Sequence, residues 1–234
     1  MIYRAQRLLH RYNGRVALQV HDLAIPQGSR FAVVGPNGCG KTTLMEILVG
    51  LLAPSEGELF FYDRPLHLPL DKDQRSRVAY VAQQPFALPG SVIDNVVLAL
   101  GRGRSRAQNR RIAFGWLELL GIEALADRSE RTLSVGQLRL ATLARAAARD
   151  APLLVLDEPF AFVDETFEAI VQRVLERHHS AGGTIVMTNP RRSALANWAT
   201  EVLELGAAAP ANSPQAPAEQ IPDRAVAPMS QPSR

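Results

Sequence analysis

Cysteine is all but absent from this chain: Cys39 is alone among 234 residues, so no internal disulfide can form and no oxidising compartment is implied. Lysine is nearly as rare. Only Lys41 and Lys72 accompany the arginines, and a net charge of +3 is too mild for a nucleic-acid reader, whose basic residues gather on one face or along one helix. The one local gathering, Arg102, Arg104, Arg106, Arg110 and Arg111, reads either as a solvated loop and helix start or as a docking surface for an acidic partner or lipid headgroups. Long hydrophobic runs are missing too: none approaches the ~20 residues that cross a bilayer, so a membrane role has to come through a partner. The opening MIYRAQRLLH carries charge where a signal peptide needs its apolar stretch, which sets the expectation of a cytoplasmic protein. No internal repeat is visible, and no heptad run is long enough for a coiled coil.

What the chain does have is a globular apolar content of 47%, laid out in a repeating order. Short β-branched apolar runs at residues 31–34, 78–81, 153–156, 184–188 and 202–205 read as buried strands. Helical patterns at 41–51, 135–149 and 165–178 alternate with them, which predicts an α/β fold with a largely parallel sheet flanked by helices. From about Phe86 to Arg131 the strand signals stop, and residues 112–120 show helical periodicity. With the helix that follows, this predicts a helical subdomain inserted at about 86–150. From Ala207 the composition turns to Ala, Pro, Ser and Gln with six prolines, so 207–234 is expected to be a disordered tail behind a domain of residues 1–206.

The strongest local signal is Gly35-Pro36-Asn37-Gly38-Cys39-Gly40-Lys41-Thr42-Thr43, which follows a predicted strand and opens a predicted helix. That is the setting of a phosphate loop. Its glycines let backbone N–H groups turn in around phosphates, and the helix N-terminus adds partial positive charge. Lys41 then reaches the β- and γ-phosphates, and the Thr42 hydroxyl is placed for Mg²⁺. The pattern arises by accident in roughly one chain per hundred of this length, and a chain this poor in lysine keeps one of its two here. A second signal, Leu153-Leu154-Val155-Leu156-Asp157-Glu158-Pro159, is an apolar strand delivering two carboxylates at its C-terminal end, where open α/β sheets bind ligands. Asp157 is placed to hold Mg²⁺ through its water shell, and Glu158 to polarise the water that attacks a γ-phosphate. Cys39, inside the loop at a helix N-terminus, is expected to be a reactive thiol where solvent reaches it.

Between these motifs lies Leu133-Ser134-Val135-Gly136-Gln137, followed by an Ala- and Arg-rich helix. This resembles the LSGGQ signature of ATP-binding-cassette ATPases, and the family's other motifs fall in order around it. Tyr12 resembles the adenine-stacking aromatic, Gln83 in Val-Ala-Gln the Q-loop glutamine, and Asp164 in Ala-Phe-Val-Asp the D-loop aspartate. The likeness spans about residues 1–206. It implies a P-loop NTPase core with an N-terminal antiparallel β portion, and ATP and Mg²⁺ as ligands. Thr42, Gln83 and Asp157 would face the metal, and Glu158, Gln83 and Asn189 the chemistry. It also implies a homodimer or a paired cassette subunit, stacked head to tail, with each ATP between residues 35–43 of one subunit and Ser134, Gly136 and Gln137 of the other. Coupling would pass to an integral membrane permease docked near residues 84–88, holding the chain on the inner face of the membrane. A single cassette without fused membrane segments looks like an importer with a separate substrate-binding protein and no nucleic acid. Residues 157–164 and the opening Met1-Ile2-Tyr3-Arg4 are most similar to oxyanion importers of the tungstate type.

Two positions depart from the family pattern. Asn189 stands where the switch histidine is expected, and Val135 where the first signature glycine usually lies. Asn can still donate a hydrogen bond to a γ-phosphate, from a shorter side chain and without a protonated form. Valine narrows the accessible backbone conformations. Pro190 disfavours the helical region for its predecessor, so Asn189 is expected to be extended at a strand end, either at the γ-phosphate or as a turn-forming Asn-Pro pair. Two other readings stay open: a soluble cassette acting on ribosomes or DNA, and a degenerate ATP-binding module that regulates without turnover. Members of the first kind usually carry two cassettes or a long coiled coil; retention of Lys41, Asp157 and Glu158 speaks against the second.

Overall fold

The computed structural model describes residues 1–206 except Arg102, Phe162, Val163, Ala196 and residues 192–194, so the expected tail lies outside the described residues. The chain opens as a hairpin of β1 (Tyr3–Tyr12) and β2 (Arg15–Ile25). Next come β3 (Arg30–Val34), α1 (Lys41–Leu48), β4 (Glu56–Phe61) and β5 (Arg64–Pro65), followed by a short α2 (Lys72–Ser76) and β6 (Val78–Val81). A helical stretch holds α3 (Val92–Val97), α4 (Arg106–Leu119) and α5 (Val135–Ala148), before β7 (Leu153–Leu156), α6 (Glu165–Ser180), β8 (Thr184–Asn189) and β9 (Glu201–Glu204) close the fold. Two sheets result: an antiparallel one in the order β2-β1-β4-β5, and a five-stranded one in the order β6-β7-β8-β3-β9 whose pairs are all parallel.

Strands β3, β6, β7 and β8 were readable as apolar runs because both faces are covered, whereas β9, expected to be buried, lies at the sheet edge and is largely exposed, with Val202 39% exposed. Along β7, Leu153 and Val155 join the buried cluster built by α1 and the antiparallel sheet, while Leu154 and Leu156 join the cluster of α3 to α6. Strand β8 alternates in the same way, with Val186 toward α1 and Ile185 and Met187 toward the helices. Each fully buried aliphatic side chain contributes about 1.5–3 kcal/mol. The alternation also fixes which face receives the polar residues at the strand ends. Leu156 pairs with Met187, so one step further Asp157 and Thr188 share the α1 face with Val155 and Val186.

In the helical stretch, Ser91, Ser105 and Ser134 each accept the backbone N–H three residues on, starting α3, α4 and α5. Val92, Ile93, Val96, Ala113, Leu117, Ala141 and Ala144 bury the facing stripes. The arginine group around the start of α4 is exposed where it is described, and Arg110 pairs with Asp127 at 2.8 Å. Among the described residues no helix is long and apolar enough to cross a membrane.

Candidate functional site

Strand β3 delivers the glycine-rich loop to the C-terminal edge of the parallel sheet, and α1 carries it away. Two glycines are dictated by close approach. A Cβ on Gly35, whose φ is 154°, would run into the Leu205 carbonyl and the Cys39 sulfur; one on Gly40, at φ 98°, would run into the Ala17 carbonyl. Ala17 falls where the β1–β2 register slips after His10, so the hairpin presses a bulge against the loop. Cys39 is buried, 5% exposed, in the same cluster as Val33 and Leu44. The expectation of a reactive thiol is corrected accordingly: the side chain points into packing, not into solvent.

The Lys41 ammonium is nearly enclosed. It donates to the Gly35 carbonyl at 3.0 Å and the Pro36 carbonyl at 3.2 Å, and forms an ion pair with Glu158 Oε1 at 3.3 Å. The Thr42 hydroxyl donates to Asp157 Oδ2 at 2.7 Å, and Gln83 Nε2 donates to Glu158 Oε2 at 3.1 Å. Glu158 itself has φ 48°, a left-handed conformation unusual for a residue with a side chain and the kind of strain that collects at functional sites. Asn37, Gly38, Lys41, Thr42, Gln83 and Glu158 line a cavity of about 420 Å³, backed by Ala17. Burial, together with the nearby Asp157 and Glu46 carboxylates, pushes the Tyr80 phenol well above its usual range, so it stays neutral beside the site.

Thr188 escaped the reading from sequence. It is fully buried, donates its hydroxyl to Asp157 Oδ1 at 2.6 Å, and accepts the Glu158 backbone N–H at 2.7 Å. The available signal was a hydroxyl set directly after the apolar run 185–187 of β8, since a buried polar group requires a partner.

The remaining sequence-derived positions lie elsewhere. Asn189 ends β8 as expected and is 8% exposed, with its Oδ1 accepting the Arg191 N–H at 2.8 Å in an Asx turn. It does not line the cavity around Lys41. Tyr12 stands half-exposed at the hairpin tip, edge-on to His10, and Ala17 rather than Tyr12 reaches that cavity. Ser134 and Gln137 form a reciprocal capping box at the start of α5, with Val135 and Gly136 exposed in its first turn. Valine there adopts ordinary helical backbone, so the departure from glycine carries no strain. Asp164 caps α6 by accepting the Phe167 N–H; its neighbours Phe162 and Val163 lie outside the described residues. Near residues 84–88, Phe86 and Leu88 are exposed, while the segment is tied down by Asn95 and by Arg145, which donates to the Phe86 carbonyl at 2.7 Å.

A hydroxyl and a carboxylate in contact, with a carboxamide and a second carboxylate beside them, form an all-oxygen donor set. That suits Mg²⁺, which takes one or two carboxylates and lets phosphates supply further ligands. Among the described residues there is no group of three or more His, Cys, Asp or Glu that could hold a metal without such help.

The family model described as ABC transporter matches residues 18–161. The manganese transport system ATP-binding protein MntB of Listeria monocytogenes is 35% identical over 192 residues, 79% of this chain and 78% of the relative. The cytochrome c biogenesis ATP-binding export protein CcmA of Idiomarina loihiensis is 33% identical over 205 residues, 86% of this chain and 91% of the relative. Among solved structures, a dimeric post-hydrolysis state of the ATP-binding cassette MJ0796 bound to ADP and Pi superposes with a TM-score of 0.77 at 26% identity, covering 87% of this chain and 94% of that one.

Proposed function

We propose, for a chain that belongs to the ABC transporter family and is an ATPase of that family, that it powers import through a separate membrane permease as one of two paired cassettes. The observation that carries the reading is the convergence of Lys41, Thr42, Gln83, Asp157 and Glu158 from three separate segments at one cavity edge. Phosphate oxygens compete with Glu158 for the Lys41 ammonium, so nucleotide entry frees the Glu158 carboxylate. Glu158 then accepts a proton from the water whose oxygen attacks the γ-phosphorus. The bond from that phosphorus to the β-bridging oxygen breaks, and ADP leaves with the electron pair. Gln83 keeps Glu158 aimed. Mg²⁺, when bound, neutralises charge on the β- and γ-oxygens, and Thr42 and Asp157 are the residues that would hold it.

Ser134, Gly136 and Gln137 serve the second cassette's nucleotide. The start of α5 offers backbone N–H groups and a positive helix end to a γ-phosphate across the interface, and dimerisation is the named state of the MJ0796 cassette. Import is supported by the relative named for Fe(3+) import in Mesorhizobium japonicum, while the manganese relative and one in Treponema pallidum are named for manganese and zinc transport. Those names are metal cations where the likeness of residues 157–164 points to an oxyanion, and we take the cargo to be a small inorganic ion. An export reading is favoured by the 91% coverage of CcmA.

The test has two arms. Phosphate release by the purified chain should fall to background in Lys41→Ala. Expressed with its companion genes, the chain should be recovered with an integral membrane protein that accumulates ions inward in sealed vesicles. Recovery with ribosomes or DNA instead would overturn the transporter reading; outward transport would select the export one.

A further inference from the structure

We propose that Thr188 is a positioning residue for ATP hydrolysis, its single hydroxyl setting the orientation of Asp157 and the backbone of Glu158 together. The inference rests on the roles given above to those two carboxylates. Thr188 sits at the end of β8, beside β7, in the register that places it against Asp157 on the α1 face. It has no exposed surface, so it acts through its neighbours and not on nucleotide.

Its hydroxyl has one proton and two lone pairs, and the geometry uses it in both senses. The proton goes to Asp157 Oδ1 at 2.6 Å, and a lone pair receives the Glu158 N–H at 2.7 Å. Asp157 Oδ2 is held from the opposite side by Thr42 at 2.7 Å. The Asp157 carboxylate is thereby gripped at both oxygens, which leaves its plane no freedom to rotate. When Thr42 turns to a metal ion, Thr188 becomes the group that keeps the carboxylate in place.

The second bond bears on Glu158. A left-handed φ of 48° is unfavourable for glutamate unless its surroundings over-determine it. The Thr188 oxygen anchors the N–H at the start of that residue, and the Asp157 N–H is anchored by the Val81 carbonyl at 2.9 Å. The turn that aims the Glu158 carboxylate at Lys41 and Gln83 is thus tied to β8 through one oxygen. The chain can supply that tie only from a residue type that is β-branched enough for a buried strand yet carries both a donor and an acceptor; threonine meets both conditions, and serine meets the second.

The test compares Thr188→Val, Thr188→Ser and the parent as full-length proteins. Valine keeps the shape and strand preference but removes the hydroxyl, leaving the Asp157 oxygen and the Glu158 N–H without this partner. We expect kcat to fall about ten- to hundredfold in Thr188→Val with KM for ATP and binding of a fluorescent ATP analogue close to the parent's, and Thr188→Ser to recover most of the rate. A parental kcat in Thr188→Val, or equal losses in Val and Ser, would overturn the positioning role. Should Thr188→Val unfold, Thr188→Ser against Thr188→Ala decides on the same criterion. Glu158→Gln is measured alongside: if it also turns over at the parental rate, the assignment of Glu158 fails first, and the two failures are told apart.

Discussion

At the phosphate-loop edge, Lys41, Thr42, Gln83, Asp157, Glu158 and Thr188 bond to one another across segments far apart in the chain, whereas at the signature edge Ser134 and Gln137 bond across three residues of one helix start. The first edge is buried or half-enclosed: Lys41 and Asp157 are 5% and 1% exposed. The second is open, with Val135 65% exposed. A set of long-range bonds completes itself within one chain. A capped helix end with outward side chains is finished locally but has nothing further of its own to bind, and its N–H groups serve whatever is brought to them. Under the function proposed above, the first edge holds nucleotide and the second meets nucleotide held by the paired cassette.

The largest expected effect comes from breaking the first edge at its centre. Lys41→Ala removes the ammonium that Gly35, Pro36 and Glu158 share, and turnover should fall by on the order of 10³-fold or more in a phosphate-release assay. Activity within a few-fold of the parent would mean that phosphates are held elsewhere. Glu158→Gln probes the same edge more gently. The amide keeps the shape and can still meet Gln83, but it loses the basic oxygen and the ion pair with Lys41. Hydrolysis should stop while ATP still binds, and the protein should accumulate as an ATP-bound dimer in size-exclusion chromatography. A strictly monomeric elution at high protein and ATP concentration would leave the signature edge without its proposed partner.

Breaking the second edge should look different. Ser134→Ala removes one half of the capping box and should cost about 1 kcal/mol of stability, read as a modest drop in melting temperature. ATP binding by the isolated chain should hardly change, because Ser134 has no contact with the loop cavity. ATP-driven dimerisation and the turnover that depends on it should weaken. A loss of monomeric ATP affinity would erase the distinction between the two edges.

The two edges also differed in how far they could be read from sequence. The loop, the two carboxylates after β7 and the signature helix are contiguous strings whose chemistry is local, so residues 35–43, 157–158 and 133–137 declared themselves. Strands β3, β6 and β7 declared themselves because burial on both faces leaves little polar interruption, while the edge strand β9 is largely exposed and was expected to be buried. Strands β1, β2 and β4 were not located individually, because one-sided burial mixes Arg4, Gln6 and Glu58 into the pattern, and because β1 is broken by Arg7 at φ 51° and by a register slip at His10. Thr188 was missed for another reason: its partners lie 30 and 31 residues away, just past the end of the neighbouring strand β7, and only strand register brings them together. Cys39 looked accessible from its place in a loop, and the packing of that loop against Gly35 and β3 decided otherwise.

The smallest expected effect is at Asn189, which lies between the two kinds of position. It sits at the same strand edge as Thr188 but its carboxamide oxygen is spent on a local bond, to the Arg191 N–H at 2.8 Å. As a turn former, the side chain should matter to stability by about 0.5–1.5 kcal/mol and little to chemistry. Asn189→Asp keeps the accepting oxygen and the turn, so it should melt close to the parent, while Asn189→Ala should melt lower. Steady-state ATPase of both should stay within about threefold of the parent, which is less than 1 kcal/mol of barrier. The alternative is that the Asx turn holds the amide group toward the γ-phosphate. Removing that bond would then cost turnover about ten- to hundredfold in Asn189→Ala, Asp would be worse than Ala through repulsion, and Asn189→His would match or exceed the parent. The ordering of Ala and Asp separates the cases: Asp above Ala in stability with similar rates places Asn189 among the local caps, and Asp below Ala in rate moves it to the nucleotide edge beside Glu158.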